Sequence, residues 1–375
     1  MRLIFLGDLC VTEDGLPALS PLATQWLESA DSVCLNFEGP LAGAGLNPSP
    51  KAGPAIHQPE SVIRFLHDCH VTHCGLANNH IMDYGRAGLK TTLESLHGFA
   101  CLGAGLSVEA AYRASLIELQ GLRIALLAFG EAQFGVLDDK SDEGTAGFAW
   151  IDHPHARRAV QNARKTADWV LVQVHAGLEM VDIPLPEWRA RYRELIDLGA
   201  DMVIGHHPHV TQGSEEYAGK YIHYSLGNFY MGSLFNVGSG SGSALEVVID
   251  GNGLSSVVIP LHLSQGEIDL DKSIEARDRY QKLCNKLKGE AAYLQEIQII
   301  CDAHWADIYA RYYESALTGL GTRPSLASAK RVLRRFAGIC LKGRRHAERN
   351  ELLLLHNIQI ESHRWVVQRA LSKSI

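Results

Sequence analysis

Short apolar runs recur along the first two thirds of the chain, and most of them stop at a polar residue. Leu3-Ile4-Phe5-Leu6 ends at Gly7-Asp8, Ser32-Val33-Cys34-Leu35 at Asn36-Phe37-Glu38, and the run 71–76 at Ala77-Asn78-Asn79-His80. Farther on, 169–174 ends at His175, 202–204 at Gly205-His206-His207-Pro208-His209, and 221–226 at Gly227-Asn228. Runs this short, rich in small and β-branched residues and closed by turn residues, predict buried strands. Residues 243–249 and 255–263 flank Asp250-Gly251-Asn252-Gly253 and predict a hairpin. Residues 116–129 predict another, turning at Gln120-Gly121. Helical spacing predicts helices over 59–69, 88–99, 153–167 and 186–198, the last stopped by Gly199.

Two stretches break this rhythm. Residues 41–59 are rich in Gly and Pro and are expected to form a lid or substrate loop, and 134–147, rich in Asp, Ser and Gly, a mobile loop. After Gln265 the strand signals stop, and 269–316, 325–341 and 346–372 read as helices. The expected organisation is a domain over 1–264 and a helical extension over 265–375.

The 375 residues are 46% hydrophobic and 21% charged, a globular composition able to bury a large core. A formal charge of -7 and a pI near 6.2 give no overall electrostatic case for nucleic acid or an anionic membrane. The basic residues Lys330, Arg331, Arg334, Arg335, Lys342, Arg344 and Arg345 form a run that reads as a solvated or salt-bridged helix face; the competing reading is a nucleic-acid or partner surface. Leu352 to Leu355 and Ile358 are expected to pack on the core domain or to join two copies of the chain. The apolar start is too short for a secretory signal and no later run is long enough to cross a bilayer, so a cytoplasmic protein without a membrane span is expected. The 8 cysteines form no CxxC pair and sit mostly in apolar runs, which predicts buried thiols and not disulfides.

The strand endings carry the chemistry. Asp8, Glu38, Asn79, His80, His175, His207 and His209 are an oxygen- and imidazole-rich set that suits Mn, Fe or Zn, one ion or two. Two such ions would support hydrolysis, with His80 beside Asn79 as the proton donor to the leaving group. In an extended chain His207 and His209 point the same way, and Pro208 keeps the residue before it extended, so both imidazoles can reach one site. Any one of these histidines alone reads as a satisfied core or surface group, and Asn78-Asn79 alone reads equally well as a helix cap. The coincidence of the endings favours a site.

Gly7-Asp8, Asn36-Phe37-Glu38, Ala77-Asn78-Asn79-His80-x-x-Asp83-x-Gly85, His175-x-Gly177-x-Glu179, Gly205-His206-His207-Pro208-His209-Val210 and Tyr224-Ser225-Leu226-Gly227-Asn228-Phe229 come in the order of the CapA family. This chain thus resembles, over about residues 1–263, the poly-γ-glutamate capsule biosynthesis proteins, relatives of the calcineurin-like metallophosphatases. The resemblance implies an α/β (α+β) fold, a four-layer αββα sandwich to which the helical extension is added. It implies Asp8, Glu38, Asn79, His175, His207 and His209 as metal ligands, with His80, Asp8 and His207 as the catalytic group. Cys10, Asn36, Asn78, Asp83, Glu179, His206 and Asn228 would stand behind these or touch the substrate, and the doubled histidine leaves the alignment of His206 open. Cys10 takes the place of the histidine in the metallophosphatase Asp-x-His pattern, and Ala176 the place of a usual aromatic residue. The implied function is metal-dependent hydrolysis of a phosphoester or a γ-glutamyl-type amide in polymer or cell-surface biosynthesis, on a small molecule or an acidic polymer. The alternative is a non-hydrolytic accessory protein that binds the acidic polymer or its precursor.

Overall fold

The computed structural model describes residues 1–11, 15–41, 45–232, 242–251, 253–264, 266–317 and 352–372. The predicted helix 325–341, the basic run and Cys340 lie outside the described residues. The chain divides into a large compact unit, Met1–Ser49 with Ala55–Leu294, and a smaller one, Pro50–Pro54 with Gln295–Ile375.

Two sheets make the large unit. In the first, Arg2–Cys10 is central: it pairs in parallel with Ser32–Phe37, which pairs in parallel with Val71–Gly75 and that with Ala100–Leu102. On its other side Arg2–Cys10 pairs with Ser243–Asp250 antiparallel, and its C-terminal half with Asn228–Met231 in parallel. The second sheet aligns Leu122–Gly130, Trp169–His175, Met202–His206 and Lys220–His223 in parallel, with antiparallel edges Ser115–Leu119 and Ser214–Tyr217. One buried core joins the inner faces, with Phe5, Leu35 and Cys34 from the first sheet and Leu126, Leu171 and Ile204 from the second. Helices Pro21–Glu28, Val62–Asp68 and Gly85–Ser95 accompany the first sheet, and Pro154–Thr166 and Pro186–Asp197 the second. This is the four-layer αββα sandwich. Within each sheet the strands that carry the polar endings run in parallel. His175 of the second sheet lies 3.1 Å from Asn36 of the first, so these ends meet at one rim, where α/β proteins bind ligands. The predicted run 221–226 stops at His223, and Asn228 begins Asn228–Met231 instead of ending a strand.

Several elements differ from expectation. The helix predicted from 88 begins at Gly85 with Tyr84 as its cap, so Asn78 and Asn79 cap no helix. Residues 134–147 hold Val136–Leu137, which joins Gly147–Ala149 and Ala104–Gly105 in a small third sheet. Past Gln265 one more strand, Glu267–Leu270, pairs with Gly253–Ser264, so the first sheet continues beyond the point where strand signals fade. It is short and half polar, which hides it from periodicity. The hairpin at Gln120-Gly121 forms as predicted, with φ of 56° and 79° at the two turn residues, the left-handed pair that a tight hairpin requires.

In the smaller unit the last turns of Glu290–His304 lead through a π-helical turn, Trp305–Tyr309, into Ala310–Leu317; helices over 352–359 and Glu361–Ser372 follow. Ile297, Cys301, Tyr309, Ile360 and Val366 are buried, whereas Leu355 and Ile358 are exposed. No helix among the described residues is long and apolar enough to cross a membrane. The seven described cysteines are free thiols.

A half-buried charge cluster ties the second sheet to its helix. Arg189 and Arg193 of Pro186–Asp197 reach Glu215 at 2.5 and 2.8 Å, and the Tyr224 hydroxyl donates to it at 2.5 Å. Burial pushes the Glu215 carboxyl up, but hydrogen bonds from Arg193, Arg189 and Tyr224 outweigh it and hold the group at about 2. A carboxyl lowered in the fold contributes stability above its unfolded value near 4.5, and the contribution is lost as pH falls from there toward 2. Glu215→Ala is expected to cost about 3 kcal/mol, because buried Arg189 is left with Glu290 at 3.4 Å and the Leu287 carbonyl, and Arg193 loses its carboxylate. Thermal unfolding at pH 7 and pH 3 measures it: the deficit should be large at the first pH and smaller at the second.

Candidate metal centre

Asp8 sits near the end of the central strand with no exposure. The Asn36 amide donates to its Oδ1 at 2.8 Å, and the His207 backbone N–H to its Oδ2 at 3.1 Å. His206 Nδ1 lies 3.3 Å from Oδ1, and His209 Nδ1 3.7 Å from Oδ2. Burial raises this carboxyl, and the contacts with His206, His209 and His207 bring it below its ordinary value. Gly7 lets the strand approach its neighbour here: a Cβ at Gly7 would lie 2.0 Å from the Gly227 carbonyl oxygen.

Glu38 follows the neighbouring strand and is equally buried, but among the described residues neither of its carboxylate oxygens has a hydrogen-bond partner. Burial pushes it up to about 8 against the pull of His209. His175, ending Trp169–His175, bridges the sheets: Nδ1 is 3.1 Å from the Asn36 amide, and Nε2 is 3.0 Å from Asn79 Oδ1 and 3.9 Å from Glu38 Oε1. His207 Nδ1 lies 3.0 Å from the same Nε2. Burial, then the neighbouring imidazoles of His207 and His209, lower His175 well below its ordinary value, so it is neutral and able to donate a lone pair.

His207 and His209 converge by a route the sequence did not show. The strand ends at His206, and both residues have left-handed φ, 96° and 59°. They are not extended; a strained turn around Pro208 brings their rings to 5.8 Å. Non-glycine residues held there cost about 1–3 kcal/mol each and cluster at functional sites. His209 Nδ1 is 2.9 Å from Asn228 Oδ1, and Nε2 is 3.8 Å from Glu38 Oε1.

Two groups of ligand atoms result, Asp8 with Glu38 and His175, and Glu179 with His207 and His209, the atoms of each within 4.8 Å of one another. Glu179 is the exposed member. Donor chemistry fits a divalent ion: two buried carboxylates, the imidazoles of His175 and His207, which burial lowers, and the orphaned oxygens of Glu38, which a cation would satisfy. His209, which burial lowers but Glu38 and Asp8 draw up past its ordinary value, would give up its proton when the ion binds.

His80 and Asp83 form a separate pair. His80 Nδ1 is 2.7 Å from Asp83 Oδ2, and both residues are buried. A carboxylate only accepts, so the proton of this contact lies on Nδ1, and Nε2 is the nitrogen that can face a substrate. Asn78 serves the scaffold: its amide donates to the Phe37 carbonyl at 2.8 Å, and its oxygen accepts from Gly39 N–H at 3.2 Å. Cys10 is buried against Ile56 and Met231, and burial, then the charges of Glu38 and Asp83, raise its thiol. It is therefore a neutral, packed group where a histidine was the pattern. His206 is buried beside Asp8 with both ring nitrogens lacking a hydrogen-bond partner.

Glu131 and Gln133 were missed. They follow the apolar strand Leu122–Gly130, are buried, and reach His207 Nε2 at 3.4 and 3.3 Å. Their signal was the same as for the others: a polar residue directly after a buried parallel strand.

Residues 12–233 match the model of the bacterial capsule synthesis protein family PGA_cap. The PGA biosynthesis protein CapA of Bacillus subtilis is 32% identical over 236 residues, 60% of this chain and 62% of that protein. The capsule biosynthesis protein CapA of Bacillus anthracis is 30% identical over 251 residues, 64% of this chain and 60% of that protein. The chain thus spans about three fifths of the length of these curated relatives. Among solved structures, a putative 5'-nucleotidase from Staphylococcus aureus aligns with a TM-score of 0.45 at 15% identity, covering 76% of this chain and 58% of that one. With the family model matched over residues 12–233, more than half of the chain, this chain belongs to the bacterial capsule synthesis protein family that includes CapA.

Proposed function

We propose that the protein is a metal-dependent hydrolase that cleaves a phosphoester or a γ-glutamyl-type amide in cell-surface polymer biosynthesis. The observation that carries this reading is Glu38, a fully buried carboxylate whose two oxygens have no hydrogen-bond partner among the described residues, facing the imidazoles of His175 and His209. Asp8, Glu38, Asn79, His175, His207 and His209 would hold one or two ions of Mn, Fe or Zn, with Glu179 added at the open side. Such an ion, when bound, supplies Lewis acidity and positive charge against developing oxyanions. The chain supplies the rest. Asp83 orients His80, whose imidazolium gives a proton to the leaving group. Beside His209 and Asn228 a cavity of about 850 Å³ opens, with Arg279, Lys282 and Lys286 among its lining residues. Such a wall suits an acidic substrate, although Asp271 and Asp182 already pair with Arg279 and Lys286.

Elemental analysis of protein purified without chelator tests the reading, beside Asp8→Asn and His207→Ala. One or two ions per chain, lost in both variants, are expected. A wild-type chain that takes up no Mn, Fe or Zn after reconstitution would overturn hydrolysis by this route and leave a fold used to bind the polymer or its precursor.

A further inference from the structure

The stretch 41–59 reads as a lid by composition, yet its far end is interior: Ile56 is 2% exposed and Gln58 1%. Gln58 spends its side chain on backbone groups of two strands. Its Nε2 donates to the Leu9 and Glu38 carbonyls, both at 3.1 Å, and its Oε1 accepts from Val11 N–H at 3.0 Å. Leu9 follows Asp8, and the same Leu9 carbonyl accepts from Glu38 N–H at 2.9 Å. One amide therefore clamps together the two strand ends that present the buried carboxylates.

Two residues earlier, Ile56 N–H donates at 2.8 Å to Asp83 Oδ2, the oxygen that also meets His80 Nδ1. The Ile56 side chain is seated against Gly39, where an added Cβ would come within 3.0 Å of Ile56 Cγ1 and 3.8 Å of His80 Cβ. Two residues of one short stretch, Ile56 and Gln58, thus reach the backbone of both carboxylate strands and the carboxylate behind the acid.

We infer that Gln58 and Ile56 are positioning residues, and that residues 56–58 form a strap that sets Asp8 and Glu38 relative to the His80–Asp83 pair. This inference rests on the reading of the rim as a metal centre. Groups that orient metal ligands from behind typically carry a 10–100-fold effect on affinity. Gln58→Glu keeps the size and the acceptor but loses both donors, and Gln58→Ala removes all three bonds.

Mn²⁺ alone, titrated calorimetrically into each metal-free protein, gives the first readout. Both variants are expected to bind about 10- to 100-fold more weakly than wild type. Tyr293→Phe, which deletes a buried bond to the Pro184 carbonyl (2.8 Å), serves as the control for general destabilisation and is expected to keep wild-type affinity. Wild-type affinity in both Gln58 variants would overturn the inference, as would an equal loss in Tyr293→Phe. Amide hydrogen exchange on the metal-free proteins gives a second, independent readout. If wild type takes up neither Mn²⁺ nor Fe²⁺ nor Zn²⁺, the hydrolase reading fails, and exchange decides the strap. Faster exchange at Glu38 and Ile56 in Gln58→Ala supports it, and unchanged exchange there overturns it.

Discussion

His80→Ala is expected to lower turnover by about 10²–10⁴-fold while the protein keeps its metal. His80 meets Asp83 and belongs to neither group of ligand atoms, so its loss removes a proton donor and leaves the ion-holding side chains in place. Single-turnover kinetics on an alkyl phosphodiester and on an activated chromogenic one, beside a metal assay on the same preparation, separates the loss of the acid from loss of the ion. A substrate with a leaving group that needs no proton should suffer far less than one with a poor leaving group. Equal loss on both substrates would remove His80 from the role of acid. Asp83→Asn should reproduce part of the defect, because a neutral amide accepts the Nδ1 proton more weakly and holds the ring less firmly.

The second large effect concerns Glu38, and its sign depends on the ion. In the metal-free protein the Glu38 carboxyl is pushed up to about 8, from an ordinary value of 4.5, chiefly by burial. A carboxyl raised in the fold holds its proton more tightly than in the unfolded chain. Stability from this group is therefore present below about 4.5 and is lost as pH rises through about 8. Glu38→Gln should stabilise the metal-free protein above pH 8 by an amount on the order of a few kcal/mol and flatten that limb of the stability curve. With Mn²⁺ present the ranking should reverse, since wild type gains ligand-linked stability that the amide cannot match. Melting curves at pH 5 and pH 9, with and without Mn²⁺, give all four values. Identical curves for the two proteins at pH 9 without metal would show that Glu38 is not a buried, uncompensated charge.

Much of this was legible in the chain. Parallel strands buried on both faces read as continuous apolar runs, so Leu3–Leu6, Val71–Leu76 and Trp169–Val174 announced themselves, and with them the rim on which Asp8, Asn79 and His175 lie. Side chains fixed by backbone conformations outside the regular set were not legible. His207 and His209 meet through a left-handed turn, which no spacing rule anticipates for histidine. Glu131 was hidden because it stands between the strand Leu122–Gly130 and the Asp- and Gly-rich stretch that follows, where a polar residue reads as loop surface. Gln58 was hidden because a buried glutamine between prolines and glycines looks like loop surface; only its long-range bonds to Leu9, Val11 and Glu38 reveal it. The strand Glu267–Leu270 was missed because its alternation is too short to register.

The central place of Arg2–Cys10 has a consequence for how the molecule is made. This strand is synthesised well before its partners, for Phe5 pairs with Leu245, Arg2 with Val248, and Asp8 with Asn228. At about 5–20 residues per second, the nascent chain waits roughly ten to fifty seconds before those partners exist. Throughout that interval the apolar Leu3–Leu6 stretch has one sheet edge without its native neighbour, an invitation to mispairing that chaperones commonly cover. Fusions that delay release of residues 228–250 should therefore aggregate more readily than those that lengthen the far end of the chain.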